Sequence, residues 1–459
     1  MDNFYILPPN WTWTRICDVG QVITGTTPSK KEPSNYGSYM PFVKPPELQN
    51  SVISSAEDNL SERGVKYARV LPVNSVLVSC IGNLGKTAIN KIPVASNQQI
   101  NAIVFSDKVF PKFGFYYFQT ETIKNWLYEQ ASATTVTIIN KSKFEKAPFV
   151  LPPFRDQERI VAKIEELFSD LDAATASLQR ARANLKRYRQ SVLQAAVTGE
   201  LTRDWRTAHR AELEPAGELL KRIQADRRAR WEADLRSKGK DPAKIKYEEP
   251  KGPDVSRLPE GWEWVTVEQI ANQRLGKMLD KEKNKGKPCP YLRNANVRWF
   301  GFDLSDIHEM RVTDEEMDDI SVKAGDLVVC EGGEPGRAAV WENTGETAVI
   351  QKAIHRVRME EGVLPWYLAY CLAADANSGR LESYFTGSTI KHLTGESLRS
   401  YKFSLAPKAE QNYIVDEIEQ RLSISREQEI MFAINIQRVD RLRQSILRLA
   451  FSGQLFYRE

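Results

Sequence analysis

The 459-residue sequence is poor in the features that would make it a membrane protein, a disulfide scaffold or a metalloenzyme. No apolar run comes near the roughly 18–20 residues a bilayer span needs. The opening MDNFYILPPN has neither the basic nor the apolar stretch of a secretory leader, so a cytoplasmic protein without membrane attachment is expected. The cysteines (Cys17, Cys80, Cys289, Cys330, Cys371) are odd in number and show no Cys-x-x-Cys spacing, which points away from a disulfide framework or a zinc site. Cys80 and Cys330 follow apolar runs and read as buried small hydrophobes. Histidine is scarce and scattered (His209, His308, His355, His392), so no catalytic or metal constellation is expected. Charge of one sign is lacking too: 64 Lys+Arg face 60 Asp+Glu. Segment 201–257, with 15 basic and 11 acidic residues, carries the whole surplus. Net charge therefore does not argue for nucleic-acid binding, which would need local segregation of charge.

What is abundant is repetition. Segment 151–201 (LPPFRDQERIVAKIEELF…YRQSVLQAAVTGEL) returns at 405–455 (LAPKAEQNYIVDEIEQRL…LRQSILRLAFSGQL) at a constant offset of 254. Upstream, LPPNWTW at 7–13 answers LPEGWEW at 258–264, Leu77-Val-Ser-Cys-Ile-Gly82 answers Leu327-Val-Val-Cys-Glu-Gly332, and Ala133-Thr-Thr-Val136 answers Gly387-Ser-Thr-Ile390. Two copies are too few for a solenoid. They imply pseudo-two-fold symmetry, with one chain presenting two similar surfaces as a symmetric dimer would.

Each copy opens on short apolar stretches (Ser75–Ser79, Asn101–Phe105, Asp326–Val329) separated by Gly, Pro and Asn clusters, with helical patterns at Phe115–Tyr128 and Trp366–Ala374. That is an α+β domain rich in loops. Each then runs into one long helix, roughly 154–198 and 408–452. Val161, Ile164, Phe168, Leu171, Leu178, Leu185 and Val192 form an apolar seam in the first, and Val415, Ile418, Leu422, Phe432, Ile436, Val439 and Ile446 in the second, which predicts a coiled coil. Both helices are acidic early and basic late, so antiparallel pairing matches opposite charges and suits both helix dipoles. At about 1.5 Å per residue such helices run to roughly 65 Å, the length of a ruler between two domains. The expected organisation is a pseudo-two-fold α+β protein: mixed domains at 1–153 and 258–407, long helices at 154–200 and 408–454, and a charged linker at 201–257 whose helical insert near 217–238 has no second copy. A linker or docking helix is the default reading of that insert, a basic DNA-contacting arm the alternative.

Two motifs fail on inspection. Gly82-Asn-Leu-Gly85-Lys86-Thr87 resembles a phosphate-cradling loop, but Cys80 stands where its first glycine belongs and the other copy reads Gly336-Arg337-Ala338. Pro152-Pro153-Phe154 lacks the Asn or Asp that precedes such a run in amino-methylating DNA enzymes, and reads as a proline turn from a strand into a helix.

The LP-x-x-W-x-W openings, the proline-rich turn followed by Gln157 or Gln411, the heptad helices and the terminal Gly199-Glu-Leu201 and Gly453-Gln-Leu455 together resemble the specificity subunit of a Type I restriction-modification system. The resemblance implies two target recognition domains that each read one half of a bipartite, asymmetric double-stranded DNA sequence. It also implies that the helices set the spacing and dock two methyltransferase subunits, with restriction/translocase subunits in the full complex. S-adenosylmethionine, ATP and Mg would then belong to those partners, with no cofactor, metal or catalytic residue in this chain. Candidate DNA-contacting residues are the polar side chains of the glycine-rich loops. In the first copy they are Thr26, Thr27, Ser29, Lys30, Lys31, Lys44, Asn83, Lys86, Gln98, Gln99, Thr134 and Thr135. In the second they are Lys277, Lys281, Lys283, Lys285, Lys287, Arg293, Asn294, Asn296, Arg337, Gln351, Lys352, Ser388 and Lys391. A scaffold whose duplicated domains bind proteins, or a self-sufficient DNA-modifying enzyme, are the rival readings.

Overall fold

The computed structural model describes residues 7–132, 136–250, 252, 258–280, 282, 284–343, 345 and 347–456. The chain divides into two compact units, one of residues 1–180 with 431–459 and one of residues 181–430. Each unit contains one mixed domain and one stretch of both long helices, which span Phe154–Val197 and Lys408–Phe451. Among the described residues no helix is long and apolar enough to cross a membrane.

In the first unit, strand Val76–Ser79 lies between antiparallel neighbours Ile100–Phe105 and Thr87–Asn90, with Gly20–Thr24 and Ser51–Ile53 at the edges of a five-stranded sheet. A second, four-stranded sheet is built around Tyr36–Val43 and Val94–Ser96. Strand Thr12–Arg15, part of the LP-x-x-W-x-W opening, pairs with Pro148–Leu151 immediately before the first long helix. In place of the single helical pattern at 115–128 there are two helices, Pro111–Tyr117 and Glu121–Gln130, because Thr120 caps the second by accepting from the Ile123 amide.

The second unit repeats this plan. Leu327–Cys330 lies between Ile354–Met359 and Ala338–Val340, a further four-stranded sheet carries Lys287–Leu292, and Glu263–Thr266 pairs with Lys402–Leu405. Matching registers shift the expected equivalence by one residue: Ser79 faces Ile100 as Cys330 faces Ile354. Cys330 is thus the counterpart of Ser79, and Cys80 that of Glu331. Both thiols are buried, and burial pushes each up to about 11, so they are un-ionised core groups. The insert is helix Ala216–Ser237. Its Leu219 and Ile223 are buried in the core of the second unit, and Arg230 pairs with Glu360, so it is a docked helix of that unit.

Within each unit the long helices pack antiparallel. In the second unit Val192, Leu193 and Ala196 share a core with Ile414, Val415, Ile418 and Leu422. Farther along, Arg189 binds the Ser425 carbonyl (2.8 Å) and the Glu429 carboxylate (2.6 Å), and Arg182 reaches the same carboxylate. Ser425 and Glu429 take the seam positions between Leu422 and Phe432, so the seam is polar there. The guanidinium of Arg189 holds the Glu429 carboxyl below its usual range. In the first unit Val161, Ile164 and Phe168 share a core with Leu447, Ala450 and Phe451. Arg443, the counterpart of Arg189, pairs with Asp172 and lies 4.9 Å over the Phe168 ring. Of the other seam positions Leu185 and Val439 are buried, and Leu171, Leu178, Phe432, Ile436 and Ile446 are half-buried.

The repeated Gln and Gly acquire physical reasons. Gln157 Oε1 accepts from the Phe110 amide (2.8 Å) and Gln411 Oε1 from the Leu364 amide (3.0 Å), each just ahead of a Pro-started helix, while each Nε2 donates to the proline turn before its own helix. Gly199 and Gly453 end the helices at φ +74° and +75°, where a Cβ would stand 2.6 Å from Pro259 Cγ and 2.2 Å from Pro8 Cγ respectively.

Among the described residues, buried charged side chains fall in the second unit, and Glu410 is one of them. Glu410, fully buried, accepts from Thr202 Oγ1 and Arg206 (2.7 Å) with Oε1, and from Trp262 Nε1 (2.8 Å) with Oε2. It ties the start of the second long helix to the segment after the first and to the second domain's opening tryptophan. Arg206→Ala would leave this carboxylate buried without its cation, which costs about 3–5 kcal/mol. Chemical denaturation is expected to show that loss. Unchanged stability would mean that the Thr202 and Trp262 hydrogen bonds suffice.

Candidate nucleic-acid interface

The loops at one end of the central sheet are drawn together in each unit by backbone hydrogen bonds, of which those from Thr26, Cys80 and Ile139 recur at Lys277, Glu331 and Leu393. In the first, the Thr26 amide donates to Ser96 O (2.8 Å), Cys80 to Gln99 O (2.8 Å), Gly82 to Thr137 O (2.8 Å) and Ile139 to Cys80 O (3.0 Å). Segments 25–27, 80–86, 97–99 and 136–139 thereby form one cluster. In the second, Lys277 donates to Ile350 O (2.9 Å), Lys352 to Lys277 O (2.8 Å), Glu331 to Ala353 O (2.9 Å) and Leu393 to Glu331 O (2.8 Å), which unites 276–277, 331–337, 351–353 and 386–393. The tight turn in each cluster is bracketed by two glycines at positive φ, Gly82 and Gly85 in one and Gly333 and Gly336 in the other. The turns close identically: Ser79 donates to Lys86 O and Cys330 to Arg337 O.

The two scaffolds agree and their side chains do not. Thr26, Thr27, Asn83, Lys86, Gln98 and Gln99 fall in the first cluster, and Thr27 Oγ1 donates to Gln98 Oε1 (2.5 Å). Ser29, Lys30 and Lys31 follow on an exposed segment. Lys44 is half-buried and ion-paired with Asp58. Lys277, Arg337, Gln351, Lys352, Ser388 and Lys391 fall in the second cluster, joined by Asn294, whose amide donates to Gly332 O (3.4 Å). Thr134, Thr135, Lys281 and Lys283 lie outside the described residues.

Several of the cations are already engaged. Lys277 pairs with Glu316 (2.6 Å) and Arg293 with Asp306 (2.7 Å), and those hydrogen bonds hold both carboxyls below their usual range. Lys287 pairs with Asp314. Asn296 is buried; it accepts from the Arg293 amide and donates to the Asp303 and Asp306 carbonyls. Its side chain holds the turn together, and its amide group is taken up there. Among the described residues Lys30, Lys31, Lys285, Lys352 and Lys391 are exposed and make no ion pair. No group of three or more His, Cys, Asp or Glu among the described residues could hold a metal ion.

A family model described as the Type I restriction modification DNA specificity domain matches residues 8–182 and again 259–430. The chain belongs to that family. It is a non-catalytic specificity subunit with two repeated DNA specificity domains. The Type I restriction enzyme EcoKI specificity subunit of Escherichia coli K12 is 23% identical to it over 472 residues, covering 98% of this chain and 90% of the relative. The HindI specificity subunit of Haemophilus influenzae is 33% identical over 172 residues, covering 36% of this chain and 38% of the relative. Among solved structures, a chain of a type I restriction-modification system described for its complex assembly and conformational transition aligns at TM-score 0.70 with 18% identity, covering 98% of this chain and all of that one. The HsdS subunit of Thermoanaerobacter tengcongensis aligns at 0.54, also with 18% identity, over 99% of this chain and all of that one.

The structure adds residues to the specificity subunit's loop clusters that sequence spacing does not single out. Tyr128 reaches the first glycine turn from a helix more than 40 positions away, and Trp299 and Glu334 meet at the second. His355 lies beneath the second cluster, fully buried. Its Nδ1 accepts from the Gln273 amide (2.7 Å) and its Nε2–H donates to the Leu393 carbonyl (2.9 Å). Burial lowers its pKa, so the unfolded chain binds the proton more readily. The resulting stability is present above the ordinary histidine value near 6.5 and is lost as pH falls below it. Asn101 occupies the matching position of the first unit. His355→Asn is therefore expected to flatten the fall in Tm between about pH 7.5 and 5.5; an equally steep fall in that variant would contradict the assignment.

Proposed function

We propose that each loop cluster contacts one half of a bipartite, asymmetric double-stranded DNA target. The long helices set the spacer and dock two methyltransferase subunits, which carry S-adenosylmethionine, while restriction/translocase subunits bring ATP and Mg in the full complex. The chain works in the cytoplasm, where its DNA is. The observation that carries this reading is the pair of clusters built on one backbone scheme with unlike side chains. Equal scaffolds with unequal polar groups suit two half-sites of different sequence, since phosphate contacts position a protein and base-edge contacts specify it. The exposed Lys352 and Lys391 of the second cluster, and Lys30 and Lys31 next to the first, suit the phosphates.

The test is a binding or methylation profile over randomised duplex sites, using the chain reconstituted with its methyltransferase subunits. Replacing Gln98 and Gln99 by Ala is expected to relax one half-site only, by about 1–3 kcal/mol for each bidentate hydrogen-bonded pair with a base that the substitution removes. Replacing Gln351 and Lys352 is expected to affect only the other. Equal degradation of both half-sites by either double substitution would refute independent readers.

A further inference from the structure

The glycine turns place one residue at the same position in both units. Asn83 follows Gly82 and Glu334 follows Gly333, and each is held by an aromatic donor from elsewhere in its own unit. In the first, the Leu84 amide donates to the Tyr128 hydroxyl (3.1 Å), whose own proton goes to Asn83 Oδ1 (3.2 Å). In the second, Trp299 Nε1 donates to Glu334 Oε1 (2.7 Å), and Arg337 donates to Oε2 (2.8 Å). Asn83 is exposed, and the Glu334 side chain is 51% exposed.

We infer that Asn83 and Glu334 are equivalent base-reading residues of opposite chemistry, positioned by Tyr128 and Trp299; the inference rests on the specificity reading above. The orienting hydrogen bonds leave Asn83 with one free acceptor lone pair and both amide hydrogens, which match adenine N6 and N7. Glu334 is an acceptor only. With one lone pair of each oxygen occupied it can still accept from the amine of cytosine N4, and guanine's major-groove edge, two acceptors, gives it nothing. Arg337 is a supporting residue here: one of its terminal nitrogens is bound to Glu334 and the other to Asn294 O (2.7 Å), and its charge offsets the repulsion between a carboxylate and the DNA backbone. Divergence at a shared position would thus give each half-site one base preference by a single exchange of side chain.

The experiment is a selection over duplexes randomised in both half-sites, with the full chain in its methyltransferase complex. Glu334→Gln is expected to change one base pair of one half-site from cytosine to adenine preference, by roughly ten-fold, leaving the other half-site as it was. Asn83→Asp is expected to change one base pair of the other half-site from adenine to cytosine. Tyr128→Phe and Trp299→Phe, checked for unchanged thermal unfolding, are expected to weaken the preference at those same base pairs without switching it. A wild-type complex that selects a defined target, together with Glu334→Gln and Asn83→Asp variants that select the same one, overturns this assignment and leaves the specificity reading standing. A wild-type complex that selects no sequence defeats the specificity reading itself, and this inference with it.

Discussion

Phe451, almost at the end of the chain, is fully buried against Phe113 and Tyr117, with ring centroids 4.9 and 5.4 Å away. The core of the first unit is therefore completed by residues more than 300 positions downstream. Neither mixed domain is packed by its own segment alone. Each takes the start of the helix that follows it and the end of the helix that follows the other domain, so the two copies of the repeat are interleaved. Closing so long a loop is entropically unfavourable, but the cost grows only slowly with length, and a buried aromatic side chain recovers several kcal/mol.

That interleaving gives the repeated motifs their purpose. The terminal glycines are needed where each helix end meets the proline of an LP-x-x-W-x-W opening, at Gly453 against Pro8 and Gly199 against Pro259. The repeated glutamines fasten each helix start to its own domain. Arg189 and Arg443 mark one register in the two units, each bridging to the opposing helix. An ion-paired guanidinium in an otherwise apolar seam favours one alignment of the helices over its neighbours.

Much of this was legible in the sequence, for reasons that differ by element. The helices announce themselves through a seven-residue apolar period at constant offset, and their antiparallel sense through the acidic-to-basic gradient that both share. The domain interiors were misaligned by one residue because matching Cys80 to Cys330 follows letter identity. The real constraint is the pair of left-handed glycines, Gly82 with Gly85 and Gly333 with Gly336, and a longer loop after Trp341 absorbs the difference in length. In the loops, a search for Lys, Arg, Asn and Gln finds Asn83 but passes over Glu334. It includes Asn296, whose amide is consumed by its own turn. Which polar group faces outward depends on contacts between distant segments, and no local pattern encodes them.

The central claim is that one chain supplies two different readers to one methyltransferase. The most direct measurement is a genome-wide map of methylated adenines in cells carrying the methyltransferase subunits, with and without this chain. The account predicts one asymmetric motif, two unlike half-sites around a spacer of fixed length, methylated only when the chain is present. A motif that persists without the chain, or a contiguous or palindromic motif that depends on it, would contradict the account.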